Sequence, residues 1–327
     1  ESPHPHSDGG VHVITWNDVH HATGNSTRFS FQALLFDNLD ILYQYAPGNP
    51  ELGEDSTTGI QNAAATIGMG IVCNAKALPG NHAILIRPPL LTVTTVADEA
   101  DVPAGPFLSL REAIRDAVSG TRIEFDPLLE EETIHLGASE GGQNSRIDID
   151  GKVLAIDASA FDAPVPISGS GDNVRHSFVE NGAWASLRNL RLEQGLATGF
   201  ANTAGSIRVL GDSTLLARDC SWLDNTAEAN AGALLIDEGS LACFHLCDFQ
   251  RNRTESTGGA INLLGGARLM ASKTLFYRNA AGTDGSGNGG ALRIGNGDAS
   301  LSECEFALNA VPGTGGAILA NINSTLT

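Results

Sequence analysis

Gly258-Gly259-Ala260-Ile261-Asn262-Leu263, followed by Phe276-Tyr277-Arg278-Asn279, is the stretch on which the fold turns, because both halves recur. A Gly-[Ala/Ser]-aliphatic step stands at Gly205, Gly232, Gly259, Gly290 and Gly316, spaced by 27, 27, 31 and 26 residues. An aromatic-x-x-Asn step follows the first four, at Trp222…Asn225, Phe249…Asn252, Phe276…Asn279 and Phe306…Asn309. Two landmarks holding one period mark an internal repeat. Within each unit apolar residues alternate, as Ile207/Val209, Leu234/Ile236, Ile261/Leu263, Leu292/Ile294 and Ile318/Ala320 after the glycine. A second alternation follows, as Leu215/Ala217, Ala242/Phe244, Leu269/Ala271 and Ala299/Leu301. A period of two over a few residues is a strand with one buried face. With the aromatic-x-x-Asn stretch as a third strand, each unit makes one coil of a right-handed parallel β-helix.

Coils stacked about 4.8 Å apart place equivalent residues above one another. Asn225, Asn252, Asn279 and Asn309 are therefore expected to form an asparagine ladder, and Trp222, Phe249, Phe276 and Phe306 an interior aromatic stack. The longer third interval carries its extra residues in 282–288, a glycine-rich edge turn. The spacing of Leu110, Ala113, Ile114 and Ala117 predicts an amphipathic helix from about Ser109 to Val118, ended by Gly120, which would cover the open end of the stack. The fold class expected is all-β, a solenoid with a short capping helix.

The repeats Gly-Gly-Ala-Ile (258–261 and 315–318), Gly-Gly-Ala-Leu (289–292) and Phe-x-x-Asn resemble the paired motifs of polymorphic outer membrane proteins and related bacterial β-helix adhesins. Leu108-Ser109-Leu110-Arg111-Glu112-Ala113-Ile114 resembles the segment with which many bacterial secreted β-helices begin. Residues 11–87 read as strands, around 12–16, 29–36, 41–45, 57–61 and 83–86, separated by polar turns such as 22–25. Trp16–Val19, Phe31–Ile41 and Gly59–Asn62 resemble the second half of a β-sandwich of bacterial secreted proteins. The expected organisation is a partial sandwich (1–87), then linker, first strands and capping helix (88–150), then coils (151–327). Both ends are expected to be incomplete.

A formal net charge of −19 with three lysines excludes nucleic acid and anionic lipid as natural partners. No apolar run reaches the roughly 20 residues that span a bilayer, so no membrane insertion is expected of this segment. Cys220, Cys247 and Cys304 each stand two residues before a coil aromatic, with Thr274 in the fourth place, which reads as a shared interior position rather than a disulfide or metal motif. His4, His6, His12, His20 and His21 cluster near the start and read as solvated side chains rather than transition-metal ligands. Asp148 and Asp150, in Asp-x-Asp-Gly, are the calcium candidates, although the remainder of a calcium loop is missing; no other cofactor is expected.

The outward positions Arg208, Leu235, Asn262, Arg293 and Leu319 form no column of acids, as a polysaccharide-cleaving site would need, and no nucleophile motif occurs. The resemblance therefore implies a non-catalytic structural or adhesive segment of a large bacterial extracellular or cell-surface protein. Its partners would be other surface proteins or carbohydrate, with self-assembly a further route. The alternatives are a carbohydrate-active β-helix enzyme, lyase- or hydrolase-like, whose site lies outside this segment, and a subunit of an extracellular fibre.

Overall fold

The computed structural model of the chain describes residues 4–8, 11–20, 28–36, 39–47, 57–61, 68–73, 83–137, 146–169, 174–199, 203–282, 286–321 and 323–327. The expected turn at 22–25 and the centre of the glycine-rich insertion, residues 283–285, lie outside them. The chain divides into two compact units, Glu1–Pro88 and Pro89–Thr327.

The first unit holds a five-stranded antiparallel sheet of His4–Asp8, Val11–His20, Arg28–Phe36, Ile41–Tyr45 and Ala83–Ile86, in that spatial order. Thr57–Gln61 and Gly68–Cys73 pair separately as a two-stranded ribbon. Two of these strands, His4–Asp8 and Gly68–Cys73, were not expected. The first is rich in histidine and proline and the second carries two glycines, so neither shows β-branched alternation.

The second unit is a parallel β-solenoid of about seven turns. Sheet A stacks Ile147–Asp150, Ser177–Glu180, Ile207–Val209, Leu234–Ile236, Ile261–Leu263, Leu292–Ile294 and Ile318–Ala320. Sheet B, of nine strands, runs from Leu90–Val93 and Thr121–Phe125 through Val153–Asp157, Trp184–Arg188, Thr214–Arg218, Leu241–His245 and Ala267–Ser272 to Gly297–Ser302 and Thr325–Leu326. Sheet C stacks Ile134–His135, Val165–Ser168, Leu190–Glu193, Ser221–Leu223, Asp248–Gln250, Leu275–Tyr277 and Glu305–Ala307. A fourth sheet, D, of two-residue strands (Leu196–Ala197, Thr226–Ala227, Arg253–Thr254, Ala280–Ala281) was not anticipated, because two residues carry no periodic signal.

Register in the central coils is unbroken. Ile207, Leu234, Ile261, Leu292 and Ile318 are successive partners, as are Trp222, Phe249, Phe276 and Phe306. Corners between sheets B and C are turned by single left-handed residues (Asn189, Asp219, Leu246, Lys273, Glu303), all with φ between 50° and 53°. Only one of these is an asparagine and none is a glycine, so the corner geometry is imposed by the stacked sheets rather than by local preference. Helix α1 (Leu110–Asp116) begins at Ser109, whose hydroxyl accepts from Glu112 N while Glu112 accepts from Ser109 N, a capping box. It is shorter than expected because Ala117 leaves the helical region at ψ 131°; the Lys152 ammonium then donates to the carbonyls of Ile114 and Arg115 at 3.1 and 2.9 Å. Leu110, Ala113, Ile114 and Ala117 are buried in one core with the first coils.

Candidate functional site

The repeated residues meet inside the stack. Asn225 Nδ2 donates to Asn252 Oδ1 at 2.9 Å, Asn252 Nδ2 to Asn279 Oδ1 at 3.0 Å, and Asn279 Nδ2 to Asn309 Oδ1 at 3.0 Å. Each of these Oδ1 atoms also accepts from the backbone N of the preceding asparagine, and each Nδ2 also reaches a carbonyl, of Leu192, Trp222, Phe249 and Phe276 in turn. Asn225, Asn252 and Asn279 are fully buried, so the ladder meets the demand that buried amides be paired. Beside it, Trp222, Phe249, Phe276 and Phe306 stack at centroid spacings of 4.7, 5.1 and 4.5 Å with planes within 7° of parallel. Phe244 closes the stack edge-on against Trp222 and Phe249.

Cys220, Cys243, Cys247 and Cys304 are free thiols. Cys220, Cys247 and Cys304 donate to the carbonyls of Arg218, His245 and Ser302, two residues earlier, and Thr274 Oγ1 makes the same bond to Ser272. A small donor that can bend back onto its own turn explains why threonine substitutes for cysteine there. Burial pushes Cys220 up to about 12 and Cys247 well above the ordinary thiol range, so neither is a nucleophile.

At the N-terminal end of the ladder the same space is filled differently. Gly195 takes the asparagine position, its N donating to Asn225 Oδ1 at 2.8 Å. The imidazole of His176, fully buried, sits against it and faces the carbonyls of Ile167 (3.0 Å) and Glu193 (3.2 Å) through Nε2. Two carbonyl acceptors require the proton on Nε2, which leaves Nδ1 bare and unpartnered. Burial lowers the His176 pKa to about 4 from its usual 6.5, while the two carbonyl bonds oppose the shift. A depressed histidine pKa means that the unfolded chain binds the proton more tightly. The stabilisation is then complete above about pH 6.5 and is lost as pH falls toward 4, amounting to on the order of 3 kcal/mol. Urea midpoints measured from pH 7 to pH 4 are expected to fall more steeply for the natural chain than for His176→Gln; equal slopes would refute the assignment.

On the face of sheet A turned from the main core, the column runs Asp148, Phe178, Arg208, Leu235, Asn262, Arg293, Leu319. Of these, Phe178, Leu235 and Asn262 are buried rather than outward, Leu235 in a second small core with Ala204 and Ala231. Asp148 and Asp150 stand on the exposed side of their strand. Asp148 is paired with Arg146 at 2.7 Å, and Asp150 accepts from Asn181 Nδ2 at 2.7 Å. The guanidinium carbons of Arg146, Arg175 and Arg208 lie 3.9, 4.9 and 5.0 Å from the centroid of Phe178. This cluster was not legible in sequence, since Arg146 and Arg208 stand about one coil to either side of Arg175 and Phe178 and share no motif with them. Arg175 is committed to structure, donating to the carbonyls of Ala204 and Thr203. A second polar ladder was also missed: Asn230, Thr257, Asn288 and Thr314 are bridge partners, with Thr257 Oγ1 donating to Asn230 Oδ1 at 2.7 Å. Its alternation of two residue types hides the period.

Among the described residues, Glu99, Asp101 and Glu112 form the one group of three acids close enough to share a cation. Glu112 is fully buried and its two oxygens already accept from Asp101 N and Ser109 N. In the first unit, Trp16, Phe31 and Tyr45 stack across three strands at 4.8 and 6.2 Å, next to the paired amides of Gln32 and Gln44. A groove of about 410 Å³ there is lined by these residues with Thr15 and Ser30, an uncharged polar and aromatic lining suited to a neutral ligand such as a sugar. Of the clustered histidines, His12 and His20 lie exposed on one strand, His21 lies outside the described residues, and only the backbone of His4 and His6 is described. No helix of the described residues is long and apolar enough to cross a membrane. Comparison with known proteins gives no match, whether to a family model, to a curated protein or to a solved structure.

Proposed function

We propose that this chain is a non-catalytic structural and adhesive segment of a large bacterial extracellular or cell-surface protein, similar in kind to the polymorphic outer membrane protein-like adhesins. One observation carries the reading. The residues the repeat keeps, the asparagines and aromatics, bond to one another in the interior, while the solvent-reached sheet C column Arg191, Ser221, Asp248, Leu275 and Glu305 changes chemistry at every coil. A repeat under such constraint supplies a stiff rod whose surface is free to vary, which suits presentation to a partner better than a fixed reaction. Carbohydrate and other surface proteins are the partner classes, the former supported by the uncharged groove beside Gln32 and Gln44. The test is to present the purified chain to immobilised neutral and acidic polysaccharides and to assay the same polymers in solution for cleavage. Binding without new reducing or unsaturated ends is expected. Release of such ends, abolished by changing outward acids of the coils, would replace this reading with that of a polysaccharide lyase or hydrolase.

A further inference from the structure

The outer face of sheet B differs from that of sheet A. Its central row, in register, is Ser186, Leu216, Cys243, Met270 and Ser300, and the next row holds Trp184, Thr214 and Leu241 before it turns charged at Arg268 and Asp298. Met270 is 49% exposed, and Trp184, Leu216, Leu241 and Cys243 are partly exposed, so an apolar strip lies along the middle of a parallel sheet. The two margins of the strip carry opposite charge. Where the chain leaves sheet B in these coils stand Arg188, Arg218 and Lys273 with one acid, Asp219. Where it enters stand Glu180, Asp212, Asp237 and Glu238, with one base, Arg268, in the adjoining row.

We propose that this face pairs with the same face of a second copy of the chain, about a two-fold axis parallel to the stacking direction. The charge pattern selects both partner and orientation. That axis exchanges left and right margins while preserving height along the rod, so the basic margin of each copy meets the acidic margin of the other. An axis along the strands would set acid on acid and base on base. Under the proposed axis the apolar rows face each other, with each Cys243 opposite its counterpart. The spacing and length of the four strands that carry the strip give a face on the order of 300 Å² per copy, well below the ~800 Å² per partner of a standard stable interface. The pairing is accordingly weak and concentration-dependent, as suits side-by-side association of rods held together at high local density. It is independent of whether the chain is adhesive, since it rests on sheet B alone.

Sedimentation of the full chain up to ~1 mM tests it, together with a short bismaleimide cross-linker applied to a Cys73→Ser, Cys304→Ser background. The expected result is a dimer whose dissociation constant rises at least tenfold with Met270→Asp, and rises again with added salt as the margins are screened. Cross-linking is expected through Cys243 and to vanish in Cys243→Ser; Cys220 and Cys247 are buried. Met270 and Cys243 both lie on the outer face, so these variants leave the core intact, to be checked by unchanged urea midpoints. A chain monomeric throughout, a dimer indifferent to Met270→Asp, or one indifferent to salt would each overturn the proposal.

Discussion

Gly259→Ala is expected to lower the stability of the solenoid by about 4 kcal/mol, although it adds one methyl group to a residue whose backbone is already compatible with alanine. The cause is the stacking distance. A Cβ on Gly259 would overlap the carbonyl oxygen of Gly290 in the next coil and lie 2.7 Å from Ala280 N. The same overlap recurs at Gly205 with Gly232 O, at Gly232 with Gly259 O and at Gly290 with Gly316 O. Side chains can rotate away from an intruding methyl; hydrogen-bonded backbone cannot, and Gly259 N is itself bonded to Gly289 O at 3.1 Å. A control and a neighbouring glycine separate approach between coils from other causes. Gly316→Ala puts a methyl group where no atom lies within 4 Å and is expected to cost less than 1 kcal/mol. Gly258 has a φ of 69° and a Cβ there would meet Ile261 O within its own turn. Gly258→Ala therefore combines left-handed strain of about 1 kcal/mol with a local overlap, which the turn relieves where Ala204 and Ala231 stand. Ala204 and Ala231 hold the equivalent left-handed conformation as alanines, so strain there is tolerable while overlap at the second glycine is not. Urea unfolding of the three variants should give Gly259 the largest cost, and a loss at Gly316 as large as at Gly259 would remove the steric explanation.

That glycine column is also the reason so much of the fold was legible. Where two backbones must touch, only one residue type fits, so the requirement prints itself on the sequence once per coil. The asparagine and aromatic columns print for a related reason, because a self-pairing amide and a ring stack both favour the same side chain at every level. The unread parts obey looser rules. In the coil of Gly195 the ladder position is a glycine, with His176, from the segment just before the strand Ser177–Glu180, filling the gap, so volume and hydrogen bonding are preserved while identity is lost. The B–C corners need a left-handed residue but accept Asn, Asp, Leu, Lys and Glu. The Asn–Thr ladder at 230, 257, 288 and 314 repeats only every second coil. The surface is less legible still. The arginines around Phe178 and the two charged margins of sheet B emerge only when residues from successive coils are placed side by side, and no single coil carries their signature.

Asn252→Leu tests what the interior ladder contributes, and its expected cost is about 3–5 kcal/mol. Leucine nearly matches asparagine in shape, so little volume is lost and the effect is one of hydrogen bonding. Four bonds disappear together: those from Asn225 N and Nδ2 to Asn252 Oδ1, and those from Asn252 Nδ2 to Asn279 Oδ1 and to the carbonyl of Trp222. The groups left behind are buried, and an orphaned buried polar group costs about 1–3 kcal/mol. Part of this is recovered if neighbouring amides turn to share what remains, which is why the total stays below the sum. The position along the stack matters. Asn309 is only partly buried and solvent can replace its partners, so Asn309→Leu is expected to cost about half as much. The pair Asn252→Leu with Asn279→Leu should cost less than the two singles added, because the Asn252–Asn279 bond is counted in both. Additive costs would mean that each asparagine serves only its own turn. A shortfall of 1 kcal/mol or more would mean that the amides act as one column, each coil's stability depending on the side chain one level away.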